Sequence, residues 1–336
     1  MGIIRAVPDL ERVVGERPLP VMMKSIDHLD PHCLALLRHS PAAVLGYVGA
    51  GNRQRAEMTG GAPGFAAAES ESRLRLPIPA DAEPGAGAAL LVLVPGWRET
   101  LRINGTIAED GLRVEEAFLH CGKAVIRSNL WDPAAAPEDP DAVEEGSALG
   151  PAAAAFLAAA RFAVITSRDG AGLADASPKG DPPGVAKMIG PTTVALADRP
   201  GNRRTDTFHN VVERPDVAVV VVAPGDTRTL EIAGKAAIST EPELRESMTE
   251  RNRTPKAVLK VEIETVRLAQ SAAVRDAGLW DAARRVDPAD LPKPSTIWTD
   301  HVRLNDTEGT AAKLVRAGAK ERLVRAGLAR DYRQNL

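Results

Sequence analysis

Apolar residues in this chain gather in short runs that stop at Gly and Pro. The clearest is VAVVVV at 217–222, apolar at every position and preceded by the arginine-rich stretch ADRPGNRRTDTFHNVVERP. A short apolar run bounded by turn residues predicts a buried strand. The same pattern occurs twice. LRHSPAAVLGYVGAGNRQRAEMTGGAPGF (37–65) lies over LAAARFAVITSRDGAGLADASPKGDPPGV (157–185) without a gap. Each reads as helix end, apolar strand, Gly turn, second strand and Gly-Pro loop. Gly60, Pro63 and Gly64 fall on Gly180, Pro183 and Gly184. Further on, LLVLVPGWRETLRINGTI (90–107) lies over VVVVAPGDTRTLEIAGKA (219–236). Two β-rich runs flank a Pro-Gly turn in each, the signature of a hairpin. Two ungapped blocks in the same order point to a duplicated β domain.

The chain therefore divides into a first β domain at 1–132, a linker at 133–150, a second β domain at 151–282 and a helical extension at 283–336. WDPAAAPEDPDAVEEGSALGP (131–151), rich in Pro, Ala and acids, reads as a linker running into a helix. GTAAKLVRAGAKERLVRAGLARDY (309–332) carries Leu314, Val315, Leu323 and Val324 at helical spacing, with basic residues between them. It is expected to be a solvated or subunit-packing helix.

The repeats differ at one place. Where the second has ADRPGNRRTDTFHNVVERP, the first has only PADAEPGAG. Pro200 suits a first helical turn, which predicts a helix from there to about Glu213, before Pro215. Phe208, Val211 and Val212 would share its apolar face. Arg199, Asn202, Arg203, Asp206 and Asn210 would line the other face. Arg203 and Arg204 would sit on the first turn, where free N–H groups and the helix dipole favour an anion. Arg forks onto phosphate oxygens, and Asp206 can orient an Arg. A solvated face with an Arg–Asp pair is the plainer alternative. The loop DASPKGDPPG (175–184) adds a hydroxyl, a lysine and two glycines, which would let a flat ligand approach the backbone.

Composition narrows the classes. The chain has 336 residues, 44% hydrophobic, with net charge −3. No global basic field suits nucleic acid, and 3% aromatic residues are too few for base stacking. Cys33 and Cys121 form no CxxC, so a reducing cytoplasm fits. The N-terminus does not read as a signal peptide, and no apolar window is long enough to span a membrane. Ala6 stands where a myristoylation signal wants Ser or Thr. Glycine fingerprints for dinucleotides, a P-loop and a GxSxG elbow are all missing.

In HCGKAVIR (120–127), read as a strand, His120 and Cys121 face opposite ways. His120 is either structural or joins Lys123 and Arg127 in meeting an anionic substrate. His28 and His32 in HLDPHC stand four apart, but Pro31 and the missing acidic helper speak against a metal, and none is expected. Trp131 and Trp280, each within LWD, end the two repeats at matching places.

With SPKGDPPG, DRPGNRRTDTFHNVVERPDVAVVVVAPG and TLEIAGKAAI in that order, the chain resembles the pyridoxamine-5′-phosphate-oxidase-like, FMN-binding split-barrel superfamily, in a tandem branch. EEAFLHCGKAVIRSNLW (115–131) is similar to that branch too. The resemblance covers most of 30–280. It implies a mainly β fold with flanking helices (α+β): two tandem six-stranded antiparallel split β-barrels plus the helical C-terminal extension. The first barrel would be degenerate and the second would bind FMN in the cleft between them. Carried over, Arg199, Asn202, Arg203, Asp206 and Asn210 would cradle phosphate and ribityl. Ser177, Pro178 and Lys179 would lie along the isoalloxazine edge. Lys179 and His120 are the catalytic candidates, Lys123 and Arg127 the substrate-binding ones. The C-terminal substrate-phosphate motif of the oxidase itself is missing, so vitamin B6 oxidation is not implied.

The implied function is an FMN-dependent oxidoreductase acting on a small molecule, with an electron donor or acceptor as second partner. An F420-dependent reductase and a non-catalytic flavin or haem binding protein stay open as alternatives. Nucleic acid and membrane are not expected as partners, and a homodimer is left open.

Overall fold

Val217, Val219 and Val221 point into one apolar core, while Ala218, Val220 and Val222 point into another. That double burial explains the unbroken valine run: a strand alternates faces with period 2, and here neither face meets water. The computed structural model describes residues 2–132 and 139–336. Residues 133–138, part of the expected linker, lie outside the described residues.

Among the described residues, sixteen strands form two antiparallel sheets. One contains β2 (Ala42–Gly49), β3 (Arg53–Gly60), β4 (Ala67–Ser70), β5 (Arg73–Arg75), β6 (Gly87–Leu93), β7 (Thr100–Ala108) and β8 (Gly111–His120) in the order β3-β2-β6-β7-β8-β5-β4. The other contains β10 (Phe162–Arg168), β11 (Ala174–Gly180), β12 (Lys187–Gly190), β13 (Thr193–Ala197), β14 (Asp216–Val222), β15 (Arg228–Ser239) and β16 (Val258–Gln270) in the order β11-β10-β14-β15-β16-β13-β12. Two short strands join this second sheet: β1 (Ile3–Ile4) on β15 and β9 (Glu144–Gly146) on β16.

The aligned repeats occupy equivalent places. Ala42 pairs with Gly60 in one sheet and Phe162 with Gly180 in the other. Both long hairpins shift register at a glycine, Gly105 and Gly234, where a Cβ would strike the opposing carbonyl of Arg113 or Glu262. The sheets pack on each other through β2, β3 and β6 against β10, β11 and β14. Gly46 meets Thr166, its own counterpart in the other repeat. Trp131 likewise meets Trp280, ring centroids 6.4 Å apart. Equivalent residues touching each other is what an approximate two-fold axis demands.

The expected six-stranded barrels are not what forms. The sheets have seven and nine strands and neither closes. The edge strands face the other sheet instead of their own far edge: β3 lies against β14, and β11 against β6.

The helices are α1 (Val7–Val14), α2 (Leu19–Met22), α3 (Pro31–His39), α4 (Lys123–Ser128), α5 (Pro151–Ala159), α6 (Asp206–Glu213), α7 (Pro242–Glu246), α8 (Ala272–Asp276), α9 (Pro294–Leu304), α10 (Thr310–Gly318) and α11 (Glu321–Asn335). The chain ends are exchanged between the sheets. Leu10 and Val14 of α1 join the second core, whereas Leu291 and Ile297 join the first. Among the described residues no helix is long and apolar enough to cross a membrane.

His28 and His32 do not converge. α3 begins at Pro31, so His28 precedes it and pairs with Asp27, while His32 reaches Asp300. Buried His301 lies 3.2 Å from Asp30, whose other oxygen caps Cys33 N–H. This pair fastens α9 to α3.

Candidate functional site

A cavity of about 1180 Å³ opens between β11, the loop 198–205, α4 and the C-terminal helices. Nine Lys and Arg side chains line it against four Asp, so its field is positive although the chain is net acidic. Ser177, Pro178, Lys179, Arg199, Asn202, Arg203, Asp206, His120, Lys123 and Arg127 all reach it. Asn210 does not. Its Nδ2 donates to Ser167 Oγ at 3.0 Å, inside the fold.

β11 is an edge strand, which is why it tolerates Pro178: no neighbour on that side needs its missing N–H. Lys179 runs beneath Phe208, its Nζ 5.4 Å from the ring centre. Among the described residues it has no hydrogen-bond partner. Burial pushes its pKa down, and Asp198 works against that shift. Burial in turn raises the Asp198 carboxyl, opposed by Lys179 and Lys256. Gly180 serves packing rather than ligand approach, because a Cβ there would strike the Ala124 carbonyl of α4.

The predicted helix from Pro200 starts only at Asp206. Arg203 and Thr205 adopt left-handed backbone, φ 60° and 53°, and so cannot continue a right-handed helix. The arginines therefore belong to a loop, and no single helix face carries the polar stripe. Each has a different fate. Arg199 donates to Asp181 at 2.7 Å and to the Met248 carbonyl at 2.8 Å. Arg204 is buried, stacks 3.7 Å over Phe118, and bonds Glu116, Asp206 and Ser25. It is an inter-sheet clamp. Arg203 is exposed on the cavity wall and, among the described residues, has no ion pair. Asn202 accepts from Arg204 N–H, while its buried Nδ2 has no partner among the described residues.

Asp206 is surrounded by Arg204, Arg102 and Arg17. Burial would raise its pKa, but those arginines hold it below the ordinary carboxylate value. Arg102 also pairs with Asp175 across the sheets. Arg102 Nη1 lies 3.3 Å from His120 Nδ1. A guanidinium can only donate, so Nδ1 accepts and Nε2 carries the proton. Burial, then Arg102 and Lys24, push the imidazole pKa well down. His120 is thus a neutral donor rather than a ready base.

The stretch after His120 is not a continued strand but α4, so Lys123 and Arg127 leave on a helix. Both lie at the cavity and both are engaged. Lys123 donates to Asp331 of α11, and Arg127 to the carbonyls of Gly180 and Pro200 at 3.0 and 3.1 Å.

Several lining groups had no signal in the sequence. Arg253 and Lys256 lie in a polar loop after α7, and Val14, Pro18, Pro20 and Val21 come from the N-terminal arm. The C-terminal helices supply the rest.

The model of the pyridoxamine 5′-phosphate oxidase family matches residues 149–270. No curated protein matches the chain. Among solved structures, HupZ of Group A Streptococcus is 20% identical, with 33% of this chain and 86% of that one covered at a TM-score of 0.29. General stress protein 26 from Bacillus anthracis is 13% identical, covering 34% and 93%, TM-score 0.28. A protein from Clostridium acetobutylicum related to general stress protein 26, of the pyridoxinephosphate oxidase family, is 10% identical, covering 33% and 80%, TM-score 0.26. Likeness at this level carries no weight on function. Over residues 149–270, the chain is similar to the pyridoxamine 5′-phosphate oxidase family.

Proposed function

We propose that this chain is an FMN-dependent oxidoreductase with one flavin site, in the cavity beside β11. The observation that carries the reading is a set of uncommitted donors on one wall. Lys179 Nζ, Asn202 Nδ2 and the Arg203 guanidinium face the same cavity, and among the described residues none has a hydrogen-bond partner. Asn202 Nδ2 is buried, where a donor without a partner costs about 1–3 kcal/mol, and with the lysine and the exposed guanidinium beside it the wall favours a ligand rich in acceptors. A phosphate with a carbonyl-bearing ring system has that character, and these residues fit it.

Bound FMN would supply reversible electron transfer with an organic substrate. In this reading Arg203 and Asn202 hold the phosphate end, with Arg199 and Asp206 fixing the loop beneath them. Ser177, Pro178 and Lys179 flank the ring edge, where the lysine offers a positive charge to the more negative redox state. Asn210 supports α6 through Ser167. His120 donates from Nε2. Lys123 and Arg127 frame the cavity, and an anionic substrate would have to displace Asp331 to reach Lys123.

Descent by duplication is part of the reading. The shared strand order, the matched register shifts and the self-contacts of Gly46 with Thr166 and Trp131 with Trp280 support it.

The test is the absorbance spectrum of the purified protein, then titration with FMN and with F420 side by side. A flavin spectrum and preferential FMN uptake are expected. Preferential F420 uptake would move the protein to the deazaflavin reductases. A folded protein that takes up neither would end the reading.

A further inference from the structure

The cavity is larger than one cofactor needs. Pockets for a single drug-sized ligand run to roughly 300–1,000 Å³, against about 1180 Å³ here. Its walls also differ in character. The cationic side comes from β11, α4 and the loop 198–205. The opposite side is apolar and comes from segments outside the two repeats. Val21 belongs to the N-terminal arm, Trp298 and Val302 to α9, Val315 to α10, and Val324 and Leu328 to α11.

Trp298, Val302 and Val315 also pack in a small core with Met23, Ala312 and Ala319, whereas Val324 and Leu328 belong to no core cluster. None of α11 is buried. Gly318 and Gly327 line the cavity too, and a Cβ at either would meet nothing within 4 Å. The wall borders open space that the protein does not fill. Exposing apolar surface opposes folding by about 25 cal/mol per Å², so such a face is stabilised when something covers it.

The face has a direction. Val324, Leu328, Asp331 and Asn335 follow one another at helical spacing and all line the cavity. Along α11 it passes from apolar to polar, ending where Lys123 meets Asp331.

We propose that this chamber, between α9–α11 and the N-terminal arm, binds the substrate, and that the substrate has an apolar body and one anionic end. The apolar body lies on Val324 and Leu328 of α11. The anionic end turns toward the cationic side. The assignment of the opposite wall to a cofactor rests on the flavin reading; the apolar chamber does not.

The probe is 8-anilinonaphthalene-1-sulfonate, an aromatic body with one sulfonate, titrated calorimetrically into the full chain with and without saturating FMN. One probe per chain is expected in both conditions. Val324→Asp and Leu328→Asp should each weaken it more than tenfold. Leu314→Asp changes a residue that is 70% exposed and outside the cavity, and should leave affinity unchanged. Both test positions are exposed or half-buried, so the fold should survive; circular dichroism checks this. Equal affinity in Val324→Asp, Leu328→Asp and the parent would overturn the proposal. Complete exclusion of the probe by FMN would overturn it too, since the chamber would not be separate. If FMN fails to bind while the two variants still lose the probe, the flavin reading falls and the chamber stands.

Discussion

Lys123 Nζ donates to Asp331 Oδ1 at 2.8 Å, joining the helix after the first sheet to the last helix of the chain. The lysine side chain is 1% exposed and the aspartate 36%. Beside them the Tyr332 hydroxyl accepts from Gly122 N–H and donates to Glu99. These contacts hold α11 against the cavity. Asp331→Ala leaves a deeply placed cation without its partner, and is expected to cost about 1–3 kcal/mol. Water reaching the half-open aspartate position keeps the loss below that of a sealed pair. Denaturant titration and limited proteolysis measure it. Faster cleavage within 305–336 is expected. An unchanged midpoint and unchanged cleavage would mean that α11 is held by other contacts.

Arg203→Ala should weaken FMN binding by more than tenfold and leave the fold intact. Its side chain is exposed and engages no carboxylate among the described residues, so nothing is orphaned by its removal. A charge-assisted hydrogen bond to phosphate contributes roughly 1.5–3 kcal/mol, and about 1.4 kcal/mol is tenfold. Arg204→Ala should behave differently. It strips Glu116 of its buried cation and Asp206 of the nearest of its three arginines, and should lower the melting temperature. Equal FMN affinity in Arg203→Ala and the parent would remove this residue from the phosphate.

Lys179→Met should keep the flavin but lower its reduction potential. The phosphate end remains held, while a positive charge favouring the more negative redox state is gone. Methionine preserves the packing beneath Phe208. Potentiometry under dye equilibration reads the shift. Identical potentials would place Lys179 away from the ring.

Much of this architecture was legible in short apolar runs. The paired blocks at 37–65 and 157–185 gave β2–β3 and β10–β11, because a strand's period and its Gly turn are local properties. The arginine loop was not. Pro200 suits a helix start, but Arg203 and Thr205 take left-handed φ on either side of Arg204, whose partners Glu116 and Ser25 lie far away in the sequence. Tertiary demands of that kind leave no local trace. For the same reason sequence alone could not separate Arg204, a clamp, from Arg203, an open donor. Nor could spacing show that α11 returns to a helix 208 residues earlier.

Lys24 offers a pH test. It is 4% exposed, with Nζ 5.5 Å from the Phe118 ring centre and 5.7 Å from that of Trp298. Burial, with Arg204 and Arg102 adding to it, pushes its pKa down to about 7. An unfolded lysine titrates near ~10.4. Between those values the unfolded chain binds more protons than the folded one, so this group makes stability rise with pH from about 7 to about 10. The limiting slope is about 1.4 kcal/mol per pH unit. Lys24→Met should be more stable than the parent at pH 7, with the difference shrinking toward pH 10. Parallel stability curves would show that Lys24 reaches water in the folded chain.

The number of flavins per chain tests the asymmetry of the two repeats. α8 packs on β3 as α4 packs on β11, which marks the equivalent place in the other repeat. Its residues differ in kind. Aligning the two LWD ends places Ala272 where the first repeat has Lys123, and Asp276 where it has Arg127. Thr59 stands for Lys179, and PADAEPGAG for the whole arginine loop. Glu57 lies close by, its pKa raised by burial and by Glu231 and Asp81. A phosphate there would meet acids without the arginine loop, and like charges repel. One FMN per chain is therefore expected from fluorescence titration to saturation. Thr59→Lys alone should not create a second site, because the phosphate loop would still be missing. A ratio of two in the parent would mean that a cleft beside Thr59 opens and holds a flavin by its ring alone, and the arginine loop would then lose its claim to be what distinguishes the repeats.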